Sequence, residues 1–180
     1  MKRWIGLMVL AACEPGSETD PEPPVVDCAW AGEPELQAGI DLAVGPAGED
    51  DTIPYGNPPQ GGAPYAPYQL RAHMAFDPEG PLPRWALEGE AVERETGAVI
   101  GAVVQPQTFF CSNTGPHQGW MYGGEIHLRF PGIALVDLEG KAIDVRFEAT
   151  TADGEVLEAT GGGTLAWTLG RIPGDDQPPG

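Results

Sequence analysis

The chain is poor in nucleophiles and bases. Its 180 residues hold two serines, Ser17 and Ser112, two lysines, Lys2 and Lys141, and three histidines, His73, His117 and His127. Neither serine lies in a G-x-S-x-G elbow, so the nucleophile of an α/β-hydrolase has no seat. Lys141 is the only lysine beyond the amino terminus and follows a Glu139-Gly140 turn, which leaves neither a Schiff-base lysine nor a P-loop. Gly161-Gly162-Gly163 lacks the spacing and the following helix that cradle a phosphate. There is no C-x-x-C or H-x-x-x-H pair, so no local motif for zinc. Glu49-Asp50-Asp51 and Asp175-Asp176 are acidic clusters without a D-x-[DN]-x-[DN]-G calcium loop. No catalytic set, metal site or cofactor is therefore assigned. Carboxylates are abundant enough that a glycosidase-like pair stays open on residue types alone. So does Ser112 with one histidine, although a serine in the turn Cys111-Ser112-Asn113-Thr114-Gly115 also reads as structural.

Long apolar runs are missing as well. Lys2 and Arg3 precede the stretch Trp4–Ala12, less than half of the about 20 residues that a membrane span needs, so the segment reads as an export signal. Leu10-Ala11-Ala12-Cys13 resembles the lipobox of bacterial lipoproteins. The resemblance implies cleavage before Cys13, a diacylglycerol on its sulfur and an acylated new amine. An ordinary secretory signal ending beside a cysteine is the plainer alternative. Glu14–Asp27 is rich in proline and acid without a periodic apolar face, and reads as a disordered tether. Glu14 after the lipidated cysteine, rather than Asp, resembles the sorting pattern of the Gram-negative outer membrane. The expected address is the cell envelope, on the periplasmic face or the cell surface.

Positive charge is scarce too. Nine Lys and Arg against 27 Asp and Glu leave a formal net charge of -18, more negative still once Lys2 and Arg3 are removed. Nucleic acid is a poor partner for such a chain. A solvated acidic surface serving solubility accounts for the imbalance as simply as a cationic ligand does. With Cys13 taken by lipid, Cys28 and Cys111 remain as an even pair in an oxidising compartment. A disulfide between them would close a loop of about 80 residues and stabilise the fold by about 4 kcal/mol on the chain-entropy model. Two buried free thiols are the alternative.

What is present in quantity is turn chemistry and alternation. Ile143, Val145 and Phe147 alternate with Asp144, Arg146 and Glu148 across Ala142–Ala149. Ile126, Leu128 and Phe130 alternate with His127 and Arg129, and Leu70, Ala72, Met74 and Phe76 with Arg71, His73 and Ala75. Period two marks strands with one buried face. Asp153-Gly154 suits a tight hairpin. Further strands are expected at Ala98–Val104, Thr108–Ser112, Gly132–Asp137, Glu155–Ala159 and Thr164–Leu169, and a short helix at Ala86–Glu95, weakened by Gly89. A hydrophobic fraction of 41% suffices for one core. The fold class is all-β, an antiparallel β-sandwich of the immunoglobulin-like kind, with a small β-barrel as the alternative. The layout is a signal peptide at 1–12, a lipidated tether at 13–27, one sandwich domain at 28–170 and a flexible tail at 171–180.

The lipobox, the acidic Pro-rich tether, Pro59-Gln60-Gly61-Gly62 ahead of the Leu70 strand and the Asp153-Gly154 hairpin together resemble lipoproteins of high-GC Gram-negative soil and predatory bacteria. Those look like single immunoglobulin-like domains without an assigned activity, so the likeness implies address and fold and no mechanism. One segment stands out as a candidate binding loop: Ile53–Gln69 sets Tyr55, Tyr65 and Tyr68 among prolines and glycines, giving stiff rings with large contact area. A loop that wraps an edge strand and buries its tyrosines is the plainer reading. The expected function is a non-enzymatic, lipid-anchored module binding an envelope protein or glycan. A small exported hydrolase and a calcium-stabilised adhesion domain are the alternatives.

Overall fold

The computed structural model describes residues 28 and 30–169, apart from 44, 47, 49, 59, 60, 76 and 114. Lipidation at Cys13, the segments 1–12, 13–27 and 171–180, Pro59-Gln60, Glu49, Phe76 and the Asp175-Asp176 cluster lie outside the described residues.

The regular structure of the described chain is almost entirely strand: β1 Glu35–Gly39, β2 Thr52–Gly56, β3 Tyr65–His73, β4 Arg84–Glu93, β5 Val99–Thr108, β6 Phe110–Cys111, β7 Met121–Arg129, β8 Ala142–Thr150 and β9 Val156–Leu169. One helical turn, α1, covers Leu135–Leu138, and a 3-10 turn covers Gly115–His117. All nine strands are hydrogen-bonded into one mixed sheet, β1-β3-β2-β9-β8-β4-β5-β7-β6, with β3 also paired to β7. Two of its junctions are so short that it divides into two layers, called the first sheet, β1-β3-β7-β6, and the second sheet, β2-β9-β8-β4-β5. They touch at two corners through one residue pair each, Gly56 with Tyr65 and Ala102 with Arg129. Every pairing is antiparallel except β2 with β9. In chain order the first sheet is the A-B-E-D sheet of an immunoglobulin-like sandwich. The second is the G-F-C sheet extended by β5, with β2 added along β9. The expected all-β, immunoglobulin-like sandwich is therefore the fold, and the two corner bridges with the β3–β7 pairing also close the sheet into a ring, the feature that the barrel alternative anticipates.

Alternation does the folding work. In β3, Ala66, Tyr68, Leu70 and Ala72 point into the core, and in β8 Ile143, Val145, Phe147 and Ala149 do the same. Buried aliphatic and aromatic side chains of this kind each contribute about 1.5–3 kcal/mol relative to exposure. Tyr68 of β3 meets Phe147 of β8 edge-on, with ring centroids 5.2 Å apart. These are the two strands that a disulfide joins in antibody domains. Here the aromatic pair spans the sheets, and the Cys28–Cys111 disulfide, 83 residues apart in sequence, instead ties the chain ahead of β1 to β6 within the first sheet.

Three expected elements differ. Ala86–Glu95 is no helix but most of β4, held between β8 and β5 with Trp85, Leu87 and Ala91 buried. Tertiary pairing overrides the helix-forming Ala, Leu and Glu content here. Gly89 belongs to that packing: a Cβ there would stand 2.5 Å from Phe147 Cδ1 and 2.9 Å from Val103 Cγ1. Gly132–Asp137 is a turn leading into α1, whose Leu135 and Leu138 are buried. Glu155–Ala159 and Thr164–Leu169 are one strand, β9, which pairs with β8 up to Thr164 and with β2 from there on. The triple glycine lies at that transfer. Gly163 has φ +145°, and a Cβ on it would stand 2.2 Å from the Asp51 carbonyl oxygen. Two strands, β1 and β2, carry no clear alternation signal and are not among the expected elements; β2 falls at the start of the expected tyrosine loop.

Candidate functional site

The outward residues of the first sheet form a face unlike the rest of the surface. Strand parity that turns Tyr68, Leu70 and Ala72 inward turns Tyr65, Arg71 and His73 outward on β3. Tyr122, His127 and Arg129 project likewise from β7, and Glu35 and Gln37 from β1. All three histidines of the chain contact rings here. His127 packs on Tyr65 at 4.2 Å between centroids, and His117, from the 3-10 turn, stacks on Tyr122 at 4.2 Å.

The centre of the face is a run of four stacked groups. Trp30, from the segment held by the disulfide, stacks on His73 with centroids 3.9 Å apart. His73 stacks on Trp120 at 3.4 Å, and the Arg71 guanidinium carbon lies 4.2 Å from the Trp120 ring centroid. Beside this run Phe110 meets Tyr122 edge-on at 5.5 Å. Trp30 is 40% exposed and Phe110 44% exposed, so the ends of the cluster face solvent. Arg71 is pinned from the side: its Nε and Nη2 donate to Gln37 Oε1 at 2.9 and 2.8 Å, and Gln37 Nε2 donates to Glu35 Oε1 at 2.5 Å.

The electrostatics follow from partial burial. Desolvation lowers the pKa of His73, with Glu35 opposing and Arg71 reinforcing the shift. Desolvation likewise lowers that of His117, with Arg71 reinforcing and Asp41 opposing. Both rings are thus neutral aromatic surfaces at pH 7. Their Nδ1 atoms are buried and make no hydrogen bond among the described residues.

The opposite sheet presents a different character. Glu88 of β4, Glu148 of β8 and Glu158 of β9 stand side by side in register, and Arg146 bonds Glu148 at 2.8 Å and Glu158 at 2.6 Å from the neighbouring row. This outer face thus carries a row of three glutamates, whereas the aromatic face carries Arg71 and Arg129 against Glu35 and Glu125. Among the described residues no group of three His, Cys, Asp or Glu side chains is placed to hold a metal ion.

The candidate tyrosine loop requires correction. Ile53–Gln69 is not one loop: it contains β2 and the start of β3. Tyr55 is fully buried and donates from its hydroxyl to the Leu135 carbonyl at 2.7 Å and to Glu139 Oε2 at 3.1 Å. Burial, followed by Glu139, raises the pKa of this phenol above its ordinary value. Tyr68 is a core residue whose phenol is pushed up by burial and, secondarily, by Asp51. Only Tyr65 keeps a half-exposed ring. Strand parity explains the outcome, because counting back by two from Leu70 gives Tyr68 and Ala66 on the buried side. Of the three tryptophans expected in the core, Trp85 and Trp167 are buried there, while Trp120 is half-buried on the outer face, stacked on His73. The site that sequence reasoning missed is built from β1, β3, β7 and two loops, and its one local sign was the placing of Arg71 and His73 on the wet side of an alternating strand.

No protein-family model matches the chain. No curated protein matches it either. Among solved structures, murine CRIg aligns with 12% identity and a TM-score of 0.33, covering 76% of this chain and 99% of that chain. At that score the likeness carries no argument, and the immunoglobulin-like assignment rests on the strand order described above.

Proposed function

We propose that this chain is a non-enzymatic binding module, held in a bacterial cell envelope by lipid on Cys13, that engages an envelope protein or glycan through the outer face of its first sheet. The observation that carries the reading is the stack of Trp30, His73, Trp120 and Arg71 beside Tyr122 and Phe110. Trp, Tyr and Arg are the residues in which binding energy concentrates at interfaces, because they offer large, stiff contact area with a polar handle. Packed against each other they are already ordered, so little entropy remains to be lost on binding. The lipid anchor and outer-membrane address rest on the lipobox resemblance and the Pro-rich tether.

The test is a cross-linking pull-down from the native envelope with three forms of the lipidated protein: wild type, Trp30→Ala with Phe110→Ala, and Val104→Ser with Val156→Ser on the second sheet. The account expects the first pair of changes to abolish recovery of a partner at unchanged melting temperature, and the second pair to leave it intact. Equal recovery by all three would overturn the assignment of the face. Cys13→Ala, expected to move the protein to the soluble fraction, tests the anchor separately.

A further inference from the structure

Resting on that reading, we propose that Arg71 is a receptor for a single carboxylate presented by a partner protein from within an apolar surface. Three observations converge. First, three other cations among the described residues have carboxylate partners: half-buried Lys141 bonds Glu93, and the more exposed Arg94 and Arg146 bond Asp144 and the pair Glu148 and Glu158. Arg84 and Arg129 are exposed and solvated. Arg71 is half-buried, yet among the described residues it bonds only an amide. Glu35 acts on Arg71 only through space, across Gln37, and no carboxylate among the described residues bonds it; a partly desolvated guanidinium without a bonded counter-charge is costly, and a chain with 27 acidic residues had many ways to supply one.

Second, Gln37 stands where a neutralising carboxylate would stand. Its Oε1 accepts two N–H groups of Arg71, and its Nε2 is turned to Glu35. The amide fixes the guanidinium without cancelling its charge and interposes itself between that charge and Glu35. Of the five N–H donors of a guanidinium, those not directed at Gln37 remain for a ligand, and the Trp120 ring fixes the plane from which they project. Such a pre-set fork suits a carboxylate better than an ammonium would.

Third, the surroundings are apolar and aromatic, which strengthens a charge-assisted bond by excluding water. The net charge of the chain does not forbid a negative group here. The in-register glutamates lie on the other sheet, sheets pack about 10 Å apart, and the screening length at physiological salt is about 8 Å.

The experiment uses the full chain and three probes followed by NMR shift titration: acetyl-Leu-Glu-Leu-amide, its Gln counterpart, and the methyl glycoside of galacturonic acid. The account expects the Glu peptide to bind about tenfold more tightly than the Gln peptide, the scale of a hydrogen bond to a charged group. Arg71→Gln should remove that preference. Gln37→Glu combined with Glu35→Gln should remove it as well while holding or raising the melting temperature, since it builds the missing ion pair and keeps an amide donor between the two side chains. A merely structural Arg71 would gain stability from that double change and leave peptide binding unmoved, which would overturn the proposal. Binding of the uronate without the Glu peptide would overturn the protein source. If Trp30→Ala with Phe110→Ala abolishes partner capture but Arg71→Gln does not weaken it, the carboxylate assignment fails and the binding face stands.

Discussion

Two tyrosines from the same stretch of sequence should respond with opposite sign to the same substitution. Tyr55 and Tyr68 are both fully buried, and each becomes phenylalanine with the loss of one oxygen. The Tyr55 hydroxyl donates to the Leu135 carbonyl at 2.7 Å and to Glu139 Oε2 at 3.1 Å, and the same Glu139 oxygen accepts from the Trp167 backbone N–H at 2.7 Å. Tyr55→Phe therefore removes a partner from a buried carbonyl and from a carboxylate that holds β9, a loss of about 1.5–3 kcal/mol. The Tyr68 hydroxyl is buried with no hydrogen-bond partner among the described residues. Removing it relieves an unmet desolvation cost, so Tyr68→Phe should be neutral or stabilise by about 1 kcal/mol. With about 2–4 °C of melting temperature per kcal/mol for domains of this size, the two variants should melt roughly 3–16 °C apart, Tyr55→Phe below wild type and Tyr68→Phe at or above it. Calorimetry and urea unfolding at pH 7 would measure both. A Tyr68→Phe domain that loses more than about 1 kcal/mol would show that its hydroxyl has a partner and refute the reasoning.

Other consequences are equally direct. Gly89→Ala forces a methyl into Phe147 and Val103, and should cost about 1–3 kcal/mol, seen as a lower urea midpoint. A cost under 0.5 kcal/mol, roughly the surface-substitution range, would contradict the packing of β4. Reduction of Cys28–Cys111, or Cys28→Ser with Cys111→Ser, should lower stability by about 2–4 kcal/mol and free the Trp30 segment, giving a blue-to-red shift in tryptophan fluorescence before global unfolding. His73 and His117 have folded pKa values below their unfolded value near 6.5. The unfolded chain thus binds more protons as pH falls through about 6.5, and stability contributed by the two neutral rings is fully present above that pH and lost below it. A melting temperature that falls between pH 7 and pH 5, with a shallower slope in His73→Phe, is expected; an unchanged slope would remove His73 from the account.

Much of the fold was legible because its rule is local. Ile143, Val145 and Phe147 declare their face within six residues, and Asp153-Gly154 declares its hairpin, with Gly154 at φ +83°. The failures are non-local. Nothing near Ala86–Glu95 reveals that β5 and β8 will claim it as a central strand. Pro67 obscured β3, since proline argues against a strand. Its missing N–H does no harm, because Pro67 lies between the single bridge of Tyr65 to β2 and the pairing of Gln69 with β1. Extending β3 through it would have placed Tyr68 inward. The aromatic face was the least legible part: Trp30, Trp120 and His117 lie outside strands, where no periodicity assigns a side, and they meet Arg71 and His73 only through the disulfide and the β3–β7 register.

The most direct measurement of the central claim is oxidative footprinting of the lipidated protein in its native envelope against the same protein purified. The account predicts that Trp30, Phe110, Tyr122 and Trp120 are protected in the envelope while Val104 and Val156 on the second sheet react alike in both. Protection of the second sheet with an unprotected Trp30 and Phe110 would contradict it.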